Sequence, residues 1–124
     1  MLKRLQHPDF GSEFRRLTKN DAALAGIIVE ELEELARAKY AGRLHSKEDK
    51  LHGDDLSSIA YLRLYTSGHS VRVYFIVAGG DLWLLAVDPN KRQTKLDKNT
   101  EKMLCERLAD VRREVSKEAQ RRGN

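Results

Sequence analysis

The chain has 124 residues and a formal net charge of +4, from 23 Lys+Arg against 19 Asp+Glu; its length suits one domain over residues 1–124 whose core needs no metal or disulfide. Its one cysteine, Cys105, excludes an internal disulfide and a multi-cysteine zinc site, and suits a reducing compartment. No apolar run approaches the ~20 residues that cross a bilayer, and Met1–Phe10 lacks the apolar stretch of a signal peptide, so we expect a cytoplasmic protein without a membrane partner.

The N-terminal third of the chain predicts a short strand followed by two helices. Leu2–Gln6 suits a strand, and the break at His7-Pro8-Asp9 suits the cap of a brief helix that ends near Leu17. Asn20 is a plausible N-cap for a longer helix, which Gly42 would end. The apolar positions of that helix repeat at i, i+3, i+4 and i+7: Leu24, Ile27, Ile28, Leu32, Leu35 and Ala36. Residues 43–56 are polar and contain glycine, so they predict a loop.

The rest of the chain predicts three strands and a final helix. Ile59–Tyr65, Val71–Val77 and Leu82–Val87 are separated by turns around Gly68 and Gly79-Gly80, which gives a three-strand meander. A helix from Lys98 to Gln120 has an apolar stripe: Leu104, Leu108, Val111 and Val115. The predicted fold is therefore α+β, with a small antiparallel sheet packed against an N-terminal helical pair and a C-terminal helix added.

The register of the first two meander strands follows from their alternation, because a one-residue slip exchanges the two faces of a strand. Leu62 and Leu64 share one face with Val73 and Phe75, and both sets favour the core. The opposite face is then expected to be open and to gather two arginines and three tyrosines: Arg63, Arg72, Tyr61, Tyr65 and Tyr74. The third strand is apolar on both faces, which indicates a central or covered strand.

Basic side chains beside aromatic rings suit RNA as a ligand. Guanidinium groups pair with phosphate oxygens, and aromatic rings stack on unpaired bases. Asp88-Pro89-Asn90 would end the third strand and bring Lys91 and Arg92 to the rim of the same surface. The alternative is that the arginines are ordinary outward-facing sheet residues and the tyrosines are cross-strand packing pairs.

Five short runs resemble the RelE/ParE superfamily of bacterial toxins from toxin–antitoxin pairs. The runs are Lys50-Leu51-His52-Gly53, Leu62-Arg63, Gly68 with Arg72-Val73-Tyr74-Phe75, Leu84-Leu85-Ala86-Val87, and Asn90-Lys91-Arg92. The likeness extends from the helix before Gly42 through the closing helix, and its motifs are loose. A compact antiparallel sheet packed on an N-terminal helical pair, as in that superfamily, agrees with the element order predicted above.

The resemblance to RelE-like members implies an endoribonuclease that cuts messenger RNA in the ribosomal decoding site without a metal or other cofactor. It implies that Arg72 holds the scissile phosphate and that Arg63 and Arg92 stabilise charge in the transition state. The residues expected to bind RNA beside them are Lys50, Lys91, Tyr61, Tyr65, Tyr74 and His69.

The chain departs from the RelE pattern at two places. Tyr61 stands where RelE-like members have a second basic side chain, and the last tyrosine is Tyr74 rather than one near the C-terminus. The general acid is therefore unassigned, because the pKa of an arginine exceeds ~12. His69, on the predicted turn, could titrate near neutral pH. His45 and His52 suit solvated loop positions and are too isolated from other ligands in sequence to indicate a metal site.

Two other functions remain open on the same fold. A ParE-like toxin would bind DNA gyrase and cut nothing, and the absent C-terminal tyrosine favours it. An inactive member would only bind a partner. The expected partners are messenger RNA on the ribosome and a cognate antitoxin, whose acidic amphipathic segment would fold onto the basic, tyrosine-lined sheet.

Overall fold

A computed structural model describes residues 1–53, 55–66, 69–89 and 96–123, with Thr66 and His69 described in their backbone only. The elements are β1 (Arg4–Gln6), α1 (Pro8–Thr18), α2 (Ala22–Tyr40), β2 (Glu48–Lys50), β3 (Ala60–Thr66), β4 (His69–Ala78), β5 (Asp81–Pro89) and α3 (Lys98–Gly123). No helix within these ranges is both long and apolar enough to cross a bilayer.

The described strands form a five-stranded sheet in the order β1-β5-β4-β3-β2. β1 runs parallel to β5, and the other neighbours are antiparallel. The α+β class, the meander, the N-terminal strand, the helical pair and the closing helix are confirmed. The loop predicted over residues 43–56 is wrong at β2, whose sequence Glu-Asp-Lys has no apolar alternation because it lies on a solvent-facing sheet edge.

Local sequence explains where the N-terminal helices begin. The His7 ring accepts a hydrogen bond from the Asp9 amide and caps α1, with Pro8 in the first turn. Asp21 rather than Asn20 caps α2, since its carboxylate accepts from the Leu24 amide at 2.9 Å. The predicted cap was therefore one residue early.

One face of the sheet packs against α1 and α2. Leu62 and Leu64 of β3 share this core with Val73 and Phe75 of β4, as their alternation predicted. The helices contribute Phe10, Leu24, Ile28, Leu32, Leu35 and Ala36. At about 25 cal/mol per Å² of buried apolar surface, a face of this kind supplies most of the driving force for folding.

The opposite face packs against α3, so the prediction that it is open is wrong. The predicted stripe on α3 lies on this face, where Leu104, Leu108 and Val111 are buried against the sheet. Tyr74 is fully buried and Arg72 is 4% exposed. A helix with an apolar stripe must bury it against another element, and the free sheet face offered that partner.

β5 is covered on both sides, which confirms its predicted place in the sheet. Leu82 and Leu84 belong to the core under α1 and α2, whereas Leu85 and Ala86 belong to the core under α3. Two successive residues can share a face here because the register with β4 shifts between Tyr74 and Phe75.

A partly buried ion pair and a histidine hold α3 to the N-terminal region. Arg107 donates two 2.8 Å hydrogen bonds to the carboxylate of Glu13 and a third, also 2.8 Å, to the carbonyl of Leu85. His7 Nε2 lies 2.8 Å from Asp110 Oδ2. The orientation of α3 over the sheet is therefore fixed by directional contacts as well as by apolar burial.

Candidate functional site

The two predicted arginines are direct neighbours across β3 and β4. Arg63 and Arg72 are register partners, and Tyr61 is the partner of Tyr74. Tyr61 and Tyr74 both belong to the core under α3. The predicted register, in which arginines and tyrosines share one face, is confirmed.

Tyr61 is the centre of the arrangement. The guanidinium carbon of Arg72 lies 5.0 Å from its ring centroid, and that of Arg63 lies 5.8 Å away. Arg63 also donates from Nη2 to the Tyr61 hydroxyl at 3.2 Å, and the hydroxyl donates to Asp49 at 3.4 Å. An aromatic face attracts a cation at these distances, so the ring orients both arginines.

Arg63 is held as a cation by its neighbours. The hydrogen bond to the Tyr61 hydroxyl raises the pKa of Arg63 further above its ordinary high value, and the tyrosine's charge adds to this. Its guanidinium lies 3.9 Å from the Asp49 carboxylate, with 37% of its side chain exposed. Arg63 is thus suited to electrostatic stabilisation and not to proton transfer.

The three tyrosines predicted to face RNA occupy different environments. Tyr65 is 71% exposed and can present its ring to a base. Tyr61 is 6% exposed. Tyr74 is fully buried, with its ring centroid 5.8 Å from that of Tyr61. Tyr74 therefore occupies a packing position between the sheet and α3 rather than the open position that was predicted.

A groove of about 310 Å³ opens where the start of α3 meets the sheet. Arg72 and Tyr61 form part of its wall, and three leucines form an apolar part. The other polar side chains that line it are Lys50, His52 and Glu101. A phosphate-sized anion in this groove would meet two basic side chains, Arg72 and Lys50, and the carboxylate of Glu101, in a partly apolar setting that strengthens these interactions.

Several predicted site residues are not placed by this structure. Lys91 and Arg92 lie outside the described residues, and His69 is described only as the first residue of β4. The structure therefore brings together Lys50, Tyr61, Arg63 and Arg72 from the predicted set.

Two groove residues have little signal in the sequence. The sequence predicts a solvated loop position for His52, yet its side chain lines the groove, and the sequence around Glu101 does not indicate a site. Glu101 lies in the first turn of α3, where an acidic residue has a local explanation in the helix dipole. Only the docking of α3 over β3 and β4 shows that both side chains share a cavity with Arg72.

A second polar cluster lies between α2 and the following loop. The fold brings Glu31 and Glu34 to His45, with His45 Nε2 3.0 Å from Glu31 Oε2 and 3.4 Å from Glu34 Oε2. The inference that His45 is isolated from acidic ligands is therefore wrong. These three groups have ligand atoms within 4.8 Å of one another, a spacing that a cation could bridge.

The hydrogen bonds of His45 favour a proton over a metal at this place. The Lys47 amide donates to His45 Nδ1 at 3.0 Å, so a neutral imidazole must hold its own proton on Nε2. A metal ion would need the lone pair of that same Nε2. The angles between Nε2 and Glu31 fall short of a hydrogen bond. We interpret the cluster as an electrostatic contact between the loop and α2.

Comparison with known proteins gives little further guidance. No protein-family model matches the chain, and no curated protein matches it. Among solved structures, the chain is similar to the conserved hypothetical protein HP0894 from Helicobacter pylori, with 20% identity over 73% of this chain and 96% of that chain, at a TM-score of 0.48. The likeness is weak, and the function has to be argued from the groove itself.

Proposed function

We propose that this chain is a RelE-like toxin that cleaves messenger RNA bound to the ribosome and is inhibited by a cognate antitoxin. The observation that supports this best is the groove, which is lined both by Arg72, oriented by the ring of Tyr61, and by Lys50. Arg63, on the neighbouring strand, adds a third cation oriented by the same tyrosine.

The chemistry of RNA cleavage matches what these residues can supply. Attack of the 2′-hydroxyl on the phosphorus places extra negative charge on the phosphoryl oxygens in the transition state. Arg72 brings a positive charge to those oxygens, and Lys50 can neutralise part of the remaining charge. These cations perform the role that a metal ion has in other nucleases, so the proposed reaction needs no metal.

The groove also has a suitable size and setting for one nucleotide. Its volume of about 310 Å³ falls at the small end of the range for ligand sites. Tyr65 is exposed on β3 and can stack on a base outside the groove. Binding of a longer message would then depend on the ribosome to hold the strand in place.

An acidic antitoxin segment is the proposed inhibitor. Since α3 covers most of the sheet face, the segment cannot lie on the open sheet that the sequence predicted. Lys50 in the groove and Arg63, which is partly exposed, remain available to carboxylates. An inhibitor of this kind would compete with the RNA phosphate for the same cations.

A non-cleaving, partner-binding member of the same superfamily is the second candidate. The observation in its favour is the burial of Arg72 and Tyr61, which are 4% and 6% exposed. A cation–π contact as buried as this one could serve packing alone. A ParE-like inhibitor of gyrase belongs to this class of functions.

Expression without antitoxin, followed by mapping of RNA 5′ ends, tests the proposal. We expect growth arrest and codon-periodic cuts in translated messages. Lys50→Ala and Arg72→Lys should each reduce cleavage by about 10²–10³-fold, the usual effect of removing one transition-state donor. Arg112→Ala, an exposed arginine of α3 that lies outside the groove, is the matched control and should cut normally.

The alternatives give different results in the same experiment. Equal cutting of naked RNA would contradict ribosome dependence. Intact messages together with trapped gyrase–DNA complexes would support the ParE-like function instead. Full growth arrest by Arg72→Lys with intact RNA would support a partner-binding role.

A further inference from the structure

Two titratable side chains from distant parts of the chain line the groove. His52 follows β2, and Glu101 lies in the first turn of α3. Both line the cavity that contains Arg72. Neither arginine can exchange protons near neutral pH, so these two groups are the candidates for proton transfer beside the phosphate site.

We propose that Glu101 is the general base and His52 the general acid of the cleavage reaction, an inference that rests on the proposed function. The Glu101 carboxylate takes the proton of the 2′-hydroxyl as the bond from O2′ to phosphorus forms. The bond from phosphorus to O5′ then breaks, and the His52 imidazolium gives its proton to the leaving 5′-oxygen. The products are a 2′,3′-cyclic phosphate and a 5′-hydroxyl, and no co-reactant is consumed.

The assignment of the two roles follows from the chemistry of the two side chains. A carboxylate accepts a proton, whereas an imidazolium donates from its ring nitrogens. The proposed reaction needs an acceptor at the 2′-hydroxyl and a donor at the 5′-oxygen.

The other charged and polar groups around the groove leave these two roles to Glu101 and His52. Lys50 and Arg72 line it as cations that attract the phosphate. The hydroxyl of Tyr61, the remaining polar group of the wall, accepts from Arg63 and donates to Asp49. Asp49 and Arg63 face each other beyond the Tyr61 hydroxyl.

Both side chains project from backbone that the fold holds in place. The Asp97 side chain accepts from the Thr100 amide at 2.7 Å, and its carbonyl accepts from the Glu101 amide at 3.0 Å, which fixes the first turn of α3. Leu51, the residue before His52, is buried and donates from its amide to the Ile59 carbonyl at 3.0 Å. General acid–base catalysis depends on such positioning, and it typically contributes 10²–10⁴-fold to a rate.

Single-turnover cleavage of a ribosome-bound message between pH 5.5 and 8.5 tests the proposal. For the native chain, we expect the rate to fall with rising pH as the proposed acid, His52, loses its proton. Glu101→Gln should lower the rate by about 10²–10⁴-fold and keep that fall, whereas His52→Gln should lower the rate and abolish the fall. Glu106→Gln, an exposed carboxylate on the same helix, is the control and should behave like the native chain.

A sulfur-substituted substrate separates proton transfer from a structural role. With sulfur in place of the 5′-oxygen at the cut site, the leaving group needs no proton, so His52→Gln should recover to within about tenfold of the native rate, while Glu101→Gln should stay impaired. Failure of the sulfur substrate to rescue His52→Gln, or variants that cut like the native chain, would overturn this assignment alone. A native chain that does not cut at all would overturn the proposed function and this assignment together.

Discussion

The two faces of the sheet bury different kinds of side chain. One face contributes mainly to stability, and the other also carries the candidate site. The face under α1 and α2 packs aliphatic side chains and phenylalanine. The face under α3 packs Tyr61 and Tyr74, and the buried cations Arg72 and Arg107 lie on this side. A buried cation must be paired or hydrogen-bonded, so the side chains of the second face need partners in defined directions. The side chains of the first face need only to fill the space beneath the helices.

The largest effect is expected from a cavity in the first face. Phe75→Ala removes a side chain that is 2% exposed and should lower the free energy of unfolding by about 3–5 kcal/mol. Val77→Ala on the same strand removes a side chain that is 49% exposed and should change it by less than about 0.5 kcal/mol. Urea unfolding measures both, and equal losses would contradict the assignment of Phe75 to the core.

The polar contacts of α3 should give the next largest effect. Arg107→Met leaves the Glu13 carboxylate and the Leu85 carbonyl without their partner, which should cost about 3 kcal/mol. Adding Glu13→Gln removes the stranded charge and should recover more than about 1 kcal/mol in the double variant. The matched control, Arg112→Met, changes an arginine on the exposed side of α3 and should stay within about 0.5 kcal/mol of the native chain. Additive losses in the double variant would show that the two residues do not act as a pair.

The same comparison shows why the sequence predicted the sheet better than the site. The alternation of β3 and β4 predicts that Arg63 and Arg72 share one face, because a period of two allows only two choices of face. The stripe on α3 was equally visible, but the pattern does not say which surface a helix covers. Burial of Tyr74 and formation of the groove both follow from the packing of α3 against this face of the sheet.

Short polar segments explain most of the remaining differences. β2 has three charged residues and pairs through its backbone, for which the side chains give no signal. His52 and Glu101 are far apart in sequence and share a cavity only because α3 crosses the sheet. Glu31 and Glu34 meet His45 for the same kind of reason, since a loop returns against the helix that precedes it.

Two variants of Tyr61 should distinguish the contribution of its ring from that of its hydroxyl. Their effects should be smaller than those above. Tyr61→Phe keeps the ring below Arg72 and removes the hydroxyl that accepts from Arg63, which should cost about 1 kcal/mol of stability and less than threefold in cleavage. Tyr61→Leu also removes the cation–π contact and should reduce cleavage by about tenfold. Single-turnover rates and urea unfolding of the two variants measure the two contributions. If both variants cut equally well, the ring does not orient Arg72.

The smallest effect is expected where His7 contacts the middle of α3. The hydrogen bond from His7 lowers the pKa of Asp110 below its ordinary value of 3.8, and the charge of Arg113 adds to this. A carboxyl whose pKa is lowered by folding stabilises the protein above its unfolded pKa, and that stability is lost as pH falls through the folded value. Asp110→Asn should therefore lower Tm at pH 6 by about 1–3 °C and by less at pH 2, because the native carboxyl gains its proton as pH falls. Calorimetry at both pH values, with Glu106→Gln on the same helix as control, measures the difference. A fall in Tm of the same size at both pH values would mean that Asp110 acts through packing, and the docking of α3 would then depend on Arg107 as its principal polar contact.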